Sequence, residues 1–159
     1  MTQRLNYAEQ SPQHLKRYME FARGLAQSSI DETLRALIEI RASQINGCTY
    51  CVDMHVKQAR LHGERELRLY HVAVWHESNL FSARERAALT WTESLTRLTD
   101  EGVTDAVYEQ VRAEFSEQEI SDLTFCIMAI NGWNRVSRAF GTVPGSTDAA
   151  FGLDKAGLN

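Results

Sequence analysis

Proline occurs at only two positions of the 159-residue chain, 12 and 144, so the long stretch between them contains no residue that forbids a helix. Helix start and stop signals recur along this stretch, and no segment shows the alternation of apolar and polar residues that is typical of a strand. The sequence therefore predicts an all-α fold in a single domain over 1–159, with its core at about 12–140.

About seven helices follow from the positions of capping residues, glycines and apolar repeats. They run from Pro12 to about Ala26, from the Asp31 cap to about Ile45, from Cys48 to about His62, from about Arg65 to Trp75, from Ser82 through Leu98, from Thr104 through Val111, and from about Glu117 to Phe140. Residues 141–159 contain recurring glycine and no apolar period, which predicts a loop or an arm that lies on a neighbouring subunit.

Composition excludes several classes of protein. The formal net charge of −4 leaves no surplus of Lys and Arg to neutralise phosphates, which argues against a nucleic-acid partner. No run of about 18 apolar residues is present, so no membrane association is expected. The first residues lack the apolar region of a secretory signal, and a cytoplasmic protein is predicted.

The chemistry of this chain is concentrated in the segment INGCTYCVDMH, where Asn46-Gly47 ends one helix and Cys48 opens the next. At about 100° per residue, the side chains of Cys48, Cys51 and His55 fall within about 60° of one another on a single helix face. A helix N-terminus and a neighbouring imidazole both lower the pKa of a thiol. The pattern therefore indicates an activated dithiol that can cycle through a disulfide within the helix.

Two other interpretations of the cysteine pair remain open at this stage. Cys48, Cys51 and His55 are possible ligands of a metal, but a structural zinc site needs a fourth ligand and no second CxxC is present. The remaining histidines that could supply it are His14, His62, His71 and His76. The pair could also be inert core residues, which is the interpretation favoured for the third cysteine, Cys126.

Three stretches resemble the AhpD-like alkylhydroperoxidase branch of the carboxymuconolactone decarboxylase family. The most specific is RASQINGCTYCVDMH, and the other two are WHESNLFSARERAALTWTESLT and the helix that contains AINGWNR. The resemblance covers most of the chain from about residue 31 to 145. It implies an AhpD-like helical bundle, with the CxxC at the N-terminus of a central helix, that assembles into trimers or hexamers.

The resemblance also implies a thiol peroxidase cycle that acts on a small peroxide. In that family the second cysteine attacks the peroxide and the first resolves the sulfenic acid, which assigns these roles to Cys51 and Cys48. His55 is the implied base and hydrogen-bond partner of the thiolate. No flavin or nicotinamide site is visible, so no bound cofactor is expected, and the cycle requires an external reductant of the dihydrolipoyl or thioredoxin-like type.

The chain departs from the family pattern at one catalytic position. Members with the full proton relay carry a glutamate twelve residues before the first cysteine, and Ala36 occupies that position here. Glu32 lies one turn before Ala36 and Glu39 nearly one turn after it, so these two residues are the candidate replacements. Two alternatives to a peroxidase also stand: a decarboxylase that acts on a lactone acid, and an oligomeric binding module in which the CxxC senses redox state.

Overall fold

The computed structural model describes residues 2–158, and the regular secondary structure in this range is helical throughout. The α-helices are α1 (Tyr7–Gln10), α2 (Pro12–Gly24), α3 (Glu32–Ile45), α4 (Thr49–Leu61), α5 (Glu66–His71), α6 (Ala83–Arg97), α7 (Asp105–Arg112), α8 (Glu117–Phe140) and α9 (Asp148–Phe151). Three short 3₁₀ turns cover Leu25–Gln27, Val72–Glu77 and Leu153–Ala156. Within the described range, no helix is both long enough and apolar enough to cross a membrane.

The predicted helix starts are confirmed because the caps that produce them act locally. The Asp31 carboxylate accepts a hydrogen bond from the backbone N–H of Leu34 at 2.9 Å and opens α3. Ser82 and Ser116 each form a complete capping box, at the starts of α6 and α8. All seven predicted helices are present, and the structure adds the four-residue helices α1 and α9.

Helix α3 lies at the centre of the bundle and packs against α4, α6 and α8. Leu34 and Ile38, one turn apart, join the apolar core shared with α6, α7 and α8. Leu37 and Ile40 face a second core that includes residues of α4, α5 and α6. Because one helix contributes to both cores, the position of α4 relative to α8 is determined by α3.

A buried carboxylate ties α6 to this central helix. Glu93 accepts hydrogen bonds from Arg41 on α3 at 2.8 Å, from the indole of Trp75 at 2.8 Å and from Arg97 at 2.6 Å. Burial raises the pKa of Glu93, but these three donors outweigh it and lower the pKa from 4.5 to about 2.

The C-terminal segment contains regular structure where the sequence predicted a loop as one of two alternatives. It forms α9 and a 3₁₀ turn, and the 3₁₀ turn packs on α4 of the same chain, with Leu153 and Ala156 buried. The buried Lys57 ammonium on α4 contacts Asp53 at 3.0 Å and Asp148 at 2.6 Å. Sequence reasoning missed these ion pairs because Lys57 and Asp148 are far apart along the chain and no local pattern links them.

Gly132 lies inside α8 at a close contact with α2. A Cβ at this position would overlap the hydroxyl of Tyr18, which donates a hydrogen bond to the carbonyl oxygen of Ala129 at 2.7 Å. We expect Gly132→Ala to displace Tyr18 and to lower the free energy of unfolding by about 1–3 kcal/mol, as overpacking does. Urea unfolding followed by circular dichroism measures this loss.

The matched control is Gly24→Ala, because Gly24 ends α2 in helical geometry and a Cβ there meets no atom within 4 Å. This variant should be unchanged or more stable by up to about 1 kcal/mol, since Ala is the better helix former. Equal stability changes in the two variants would contradict the steric account of Gly132.

The depressed pKa of Glu93 predicts how stability depends on acid. Because its folded pKa is about 2 and its ordinary value is 4.5, the stabilisation is fully present above pH 4.5 and is lost as pH falls towards 2. Its magnitude at neutral pH is about 3 kcal/mol by linkage. Unfolding free energies of the wild type measured between pH 2.5 and 7 should show this decline, and Glu93→Gln should show less of it. If the unfolding free energies of the two proteins fall equally between pH 7 and pH 2.5, Glu93 is not the source of the decline.

Candidate active site

The turn between α3 and α4 sets the position of the two cysteines. Gly47 takes the left-handed conformation, with φ 62°, that lets the chain reverse immediately after α3. The side-chain amide of Asn46 donates hydrogen bonds to Asn131 at 2.9 Å and to Asn134 at 2.8 Å, and both acceptors lie on α8. Arg138, also on α8, donates to the backbone carbonyl oxygen of Asn46. The turn is therefore held by α8, which is remote in sequence.

The side-chain amides of the two asparagines on α8 also donate hydrogen bonds. Asn134 donates to the Ser43 hydroxyl and Asn131 to the Thr96 hydroxyl, each at 3.0 Å. In the structure they bind the C-terminal end of α3.

Cys48 and Cys51 are joined by a disulfide at the start of α4, with their Cα atoms 5.3 Å apart. Cys48 is the N-cap residue, and its sulfur accepts a hydrogen bond from the backbone N–H of Cys51 at 3.4 Å. Both cysteines are buried, and they pack with Ala42 and Ile130 in a small cluster separate from the two main cores. Since both sulfurs lie at a helix N-terminus, the helix dipole favours a thiolate at either one after reduction.

His55 lies one turn after Cys51 on α4, and its Nδ1 atom has two oxygen partners. One is the Oε2 atom of Glu39 at 3.1 Å, and the other is the Oε1 atom of Gln58 at 2.9 Å. Because a carboxylate oxygen only accepts, Nδ1 carries the proton that both partners share. In the neutral ring the Nε2 atom is then the acceptor, which is the form that a general base requires.

The surroundings of His55 raise its pKa above 6.5. Burial lowers the pKa of the imidazole, but the nearby Glu39 carboxylate and the hydrogen bonds to Glu39 and Gln58 outweigh that effect. The positive charge of Arg35 opposes the rise to a smaller degree. Protonated His55 thus stabilises a negative charge one turn away, at the position of Cys51.

A cavity of about 660 Å³ opens onto these residues. Cys51, His55, Gln58 and Glu39 all line it, whereas Cys48 does not. The exposed fraction of Cys51 is only 2%, so a reactant reaches its sulfur through the cavity. The structure thereby separates two thiols that are equivalent in the sequence motif.

Most of the cavity wall is apolar. The side chains that form it come mainly from α2, α4 and α8 and include Leu15, Met19, Ala22, Met54, Ala129, Ile130 and Trp133. The C-terminal segment closes one side, where the hydroxyl of Tyr50, between the two cysteines, lies 2.9 Å from that of Thr147. A site of this volume and composition is typical of pockets that bind small organic molecules.

The candidate relay acids Glu39 and Glu32 occupy different places. Glu39 contacts His55, whereas Glu32 lines the cavity away from His55, with its carboxylate 3.1 Å from His62. Sequence reasoning missed Gln58 and Arg35. The spacing of three residues between His55 and Gln58 on one helix was a usable signal for the first, and nothing local identified the second.

The alternative of a metal centre has no ligand cluster to support it. In the part of the chain that the structure describes, no three His, Cys, Asp or Glu side chains are grouped so as to hold a metal ion. The Nδ1 atom of His55 is directed at Glu39 and Gln58, and the two cysteine sulfurs are bonded to each other.

Comparison with known proteins identifies the family. The model of the carboxymuconolactone decarboxylase family matches residues 12–94, which span α2 to α6 and include the CxxC and His55. The chain belongs to the carboxymuconolactone decarboxylase family. The predicted resemblance is thus confirmed at the level of the family.

Several relatives extend the match over almost the whole chain. The uncharacterized protein YdfG of Bacillus subtilis is 43% identical over 141 residues, which cover 89% of this chain and 96% of YdfG. One similar crystal structure is that of ATU0492 from Agrobacterium tumefaciens, a protein of unknown function that was provisionally named after the antioxidant defence protein AhpD. Its sequence is 39% identical to this chain. It superposes with a TM-score of 0.87 and covers 90% of this chain and 98% of its own. The predicted AhpD-like helical fold is confirmed by this match.

A more distant member of the fold carries a different activity in its name. The structure of the debrominase Bmp8 is 18% identical, with a TM-score of 0.77, and covers 93% of this chain and 79% of its own. At this level of identity the likeness concerns the fold alone.

The contact between Glu39 and His55 predicts a specific change in titration. Glu39→Gln removes the negative charge that raises the pKa of His55, so the pKa should fall towards or below 6.5. In the wild type the linked stabilisation is fully present below pH 6.5 and is lost as pH rises through the folded pKa. Titration of the His55 ring protons by NMR measures the change directly.

Glu32→Gln is the matched control, because it removes a carboxylate from the same helix that contacts His62 and not His55. The His55 titration should be unchanged in that variant. An equal displacement of the His55 pKa by both variants would show that the effect is not carried by the Glu39 contact.

Proposed function

We propose that this protein is a thiol-dependent peroxidase that reduces small organic hydroperoxides through the Cys48–Cys51 pair. One observation carries the proposal: Cys51, His55 and Glu39 line one apolar cavity, whereas Cys48 is bonded to Cys51 outside the cavity wall. A reactive sulfur, a proton acceptor and a carboxylate that orients it are thereby collected where a small apolar molecule can enter.

In the first step the thiolate of Cys51 attacks the outer oxygen of the hydroperoxide. The O–O bond breaks, a sulfenic acid forms on Cys51, and the alkoxide leaves with a proton as the alcohol. Neutral His55 accepts the thiol proton at Nε2 and returns it to the alkoxide. Glu39 and Gln58 are positioning residues, because their hydrogen bonds to Nδ1 fix the tautomer and the orientation of the ring.

In the second step the thiol of Cys48 attacks the sulfenic sulfur of Cys51. The S–O bond breaks, water leaves, and the disulfide of the structure is formed. Reduction of this disulfide by an external dithiol returns both cysteines to thiols and converts the dithiol to its own disulfide.

The partners of this cycle follow from its chemistry. A reductant of the dihydrolipoyl or thioredoxin-like type supplies two electrons per turnover, and no bound cofactor takes part. The protein is proposed to work as a homo-oligomer, a trimer or a hexamer, as its resemblance to the AhpD-like branch implies.

A thiol titration of the reduced protein tests the cycle. Addition of one equivalent of cumene hydroperoxide should remove two of the three titratable thiols of the wild type, because Cys126 is buried and takes no part. Cys51→Ser should lose none, and Cys48→Ser should lose one, as a sulfenic acid that dimedone traps. The matched control is Cys126→Ser, which should still lose two.

The contrary outcomes point to the alternatives. Thiols that remain unreacted would exclude the peroxidase, and full turnover by Cys48→Ser would exclude the two-cysteine cycle. Oxidation that changes assembly without repeated consumption of peroxide would favour a redox-sensing module. Activity on a lactone acid after alkylation of both thiols would favour a decarboxylase.

A further inference from the structure

The geometry points to Arg35 as a carboxylate-binding residue of the cavity, which makes hydroperoxides that carry both an apolar body and a carboxylate the preferred substrates. This inference rests on the proposed function and adds the class of substrate to it.

Arg35 lines the cavity together with Glu39 and Cys51, and only 18% of its side chain is exposed. The guanidinium group makes one hydrogen bond to a described residue, from Nη1 to the carbonyl oxygen of Leu25 at 3.2 Å. A guanidinium has five N–H donors, so most of those on Arg35 are left for a molecule in the cavity.

The acidic side chains nearby do not occupy these donors. Glu32 lies 4.0 Å from the Nη2 atom of Arg35, beyond hydrogen-bond distance, and its carboxylate is 3.1 Å from His62. Glu39 is directed at His55, with its Oε2 atom 3.1 Å from the Nδ1 atom of the ring. Arg35 is therefore a cation on the cavity wall whose ion-pair partner among the described residues, Glu32, stands outside hydrogen-bond distance at 4.0 Å.

The position of Arg35 on α3 fits a ligand with a carboxylate at one end and an apolar body at the other. It precedes Glu39 by about one helical turn, or about 6 Å along the axis, towards the end of the cavity marked by Glu32 and His62. A carboxylate bound to Arg35 leaves the rest of the molecule against the apolar walls from α2 and α8. Two parallel N–H···O bonds from a guanidinium are the standard recognition of a carboxylate in such surroundings.

The test compares an acid with its neutral ester. The reduced wild type is assayed with the hydroperoxide of linoleic acid, with the methyl ester of that hydroperoxide, and with cumene hydroperoxide. We expect kcat/KM to favour the acid over the ester by about tenfold or more, the size of a charge-assisted hydrogen bond. In Arg35→Gln this ratio should fall towards one, because the acid loses more kcat/KM than the ester or cumene hydroperoxide does; Arg35→Lys should retain part of the preference.

Arg23→Gln is the matched control, since Arg23 also lines the cavity but is exposed at the end of α2. It should keep the acid-to-ester ratio of the wild type. If Arg35 only ties α3 to the Leu25 carbonyl, Arg35→Gln will lower the rates for all three substrates together and leave the ratio unchanged. That result, or a wild type without preference for the acid, overturns the inference.

A binding measurement separates this inference from the proposed function. Titration calorimetry with octanoate and with 1-octanol needs no peroxide chemistry. Tighter binding of octanoate by the wild type, lost in Arg35→Gln, supports the carboxylate site even in a protein that reduces no peroxide. Equal binding of the two probes overturns it even in an active peroxidase.

Discussion

The hydrogen bonds from Asn46 to Asn131 and Asn134 are the constraint on which the reactive part of the structure depends. They lie between a helix end and the middle of another helix, and a buried amide that loses its partners costs about 1–3 kcal/mol. The turn that follows Asn46 therefore has one position relative to α8. Since α4 begins directly after this turn, the location of both cysteines follows from it.

The same arrangement gives the two cysteines different surroundings. Cys48 caps α4 on the side of the turn, and Cys51 comes three residues later, where α4 borders the cavity. Helix dipole and burial act on both sulfurs alike and do not assign their roles. Access to the cavity does distinguish the two sulfurs, because Cys51 lines it and Cys48 does not, and the proposed roles rest on this difference.

Much of the fold is predictable because its signals are local. Asp31, Ser82 and Ser116 cap the backbone within three residues of themselves, so the helix starts can be determined from the sequence. The C-terminal segment is different, since the ion pairs of Lys57 fix it over a long sequence separation. In the site, the shared face of Cys51 and His55 follows from helix geometry. The choice between Glu39 and Glu32 does not, because it depends on how α3 crosses α4.

The cavity is completed by both ends of the chain. Gln3, Asn6 and Tyr7 contribute to its wall from one end, and Thr147 and Phe151 contribute from the other. Residues 3–7 and 147–151 thus shape the same pocket, although they lie far apart along the chain. Any added sequence that displaces either segment changes the pocket, so kinetic comparisons of variants are sound only when the flanking sequence is the same in every sample.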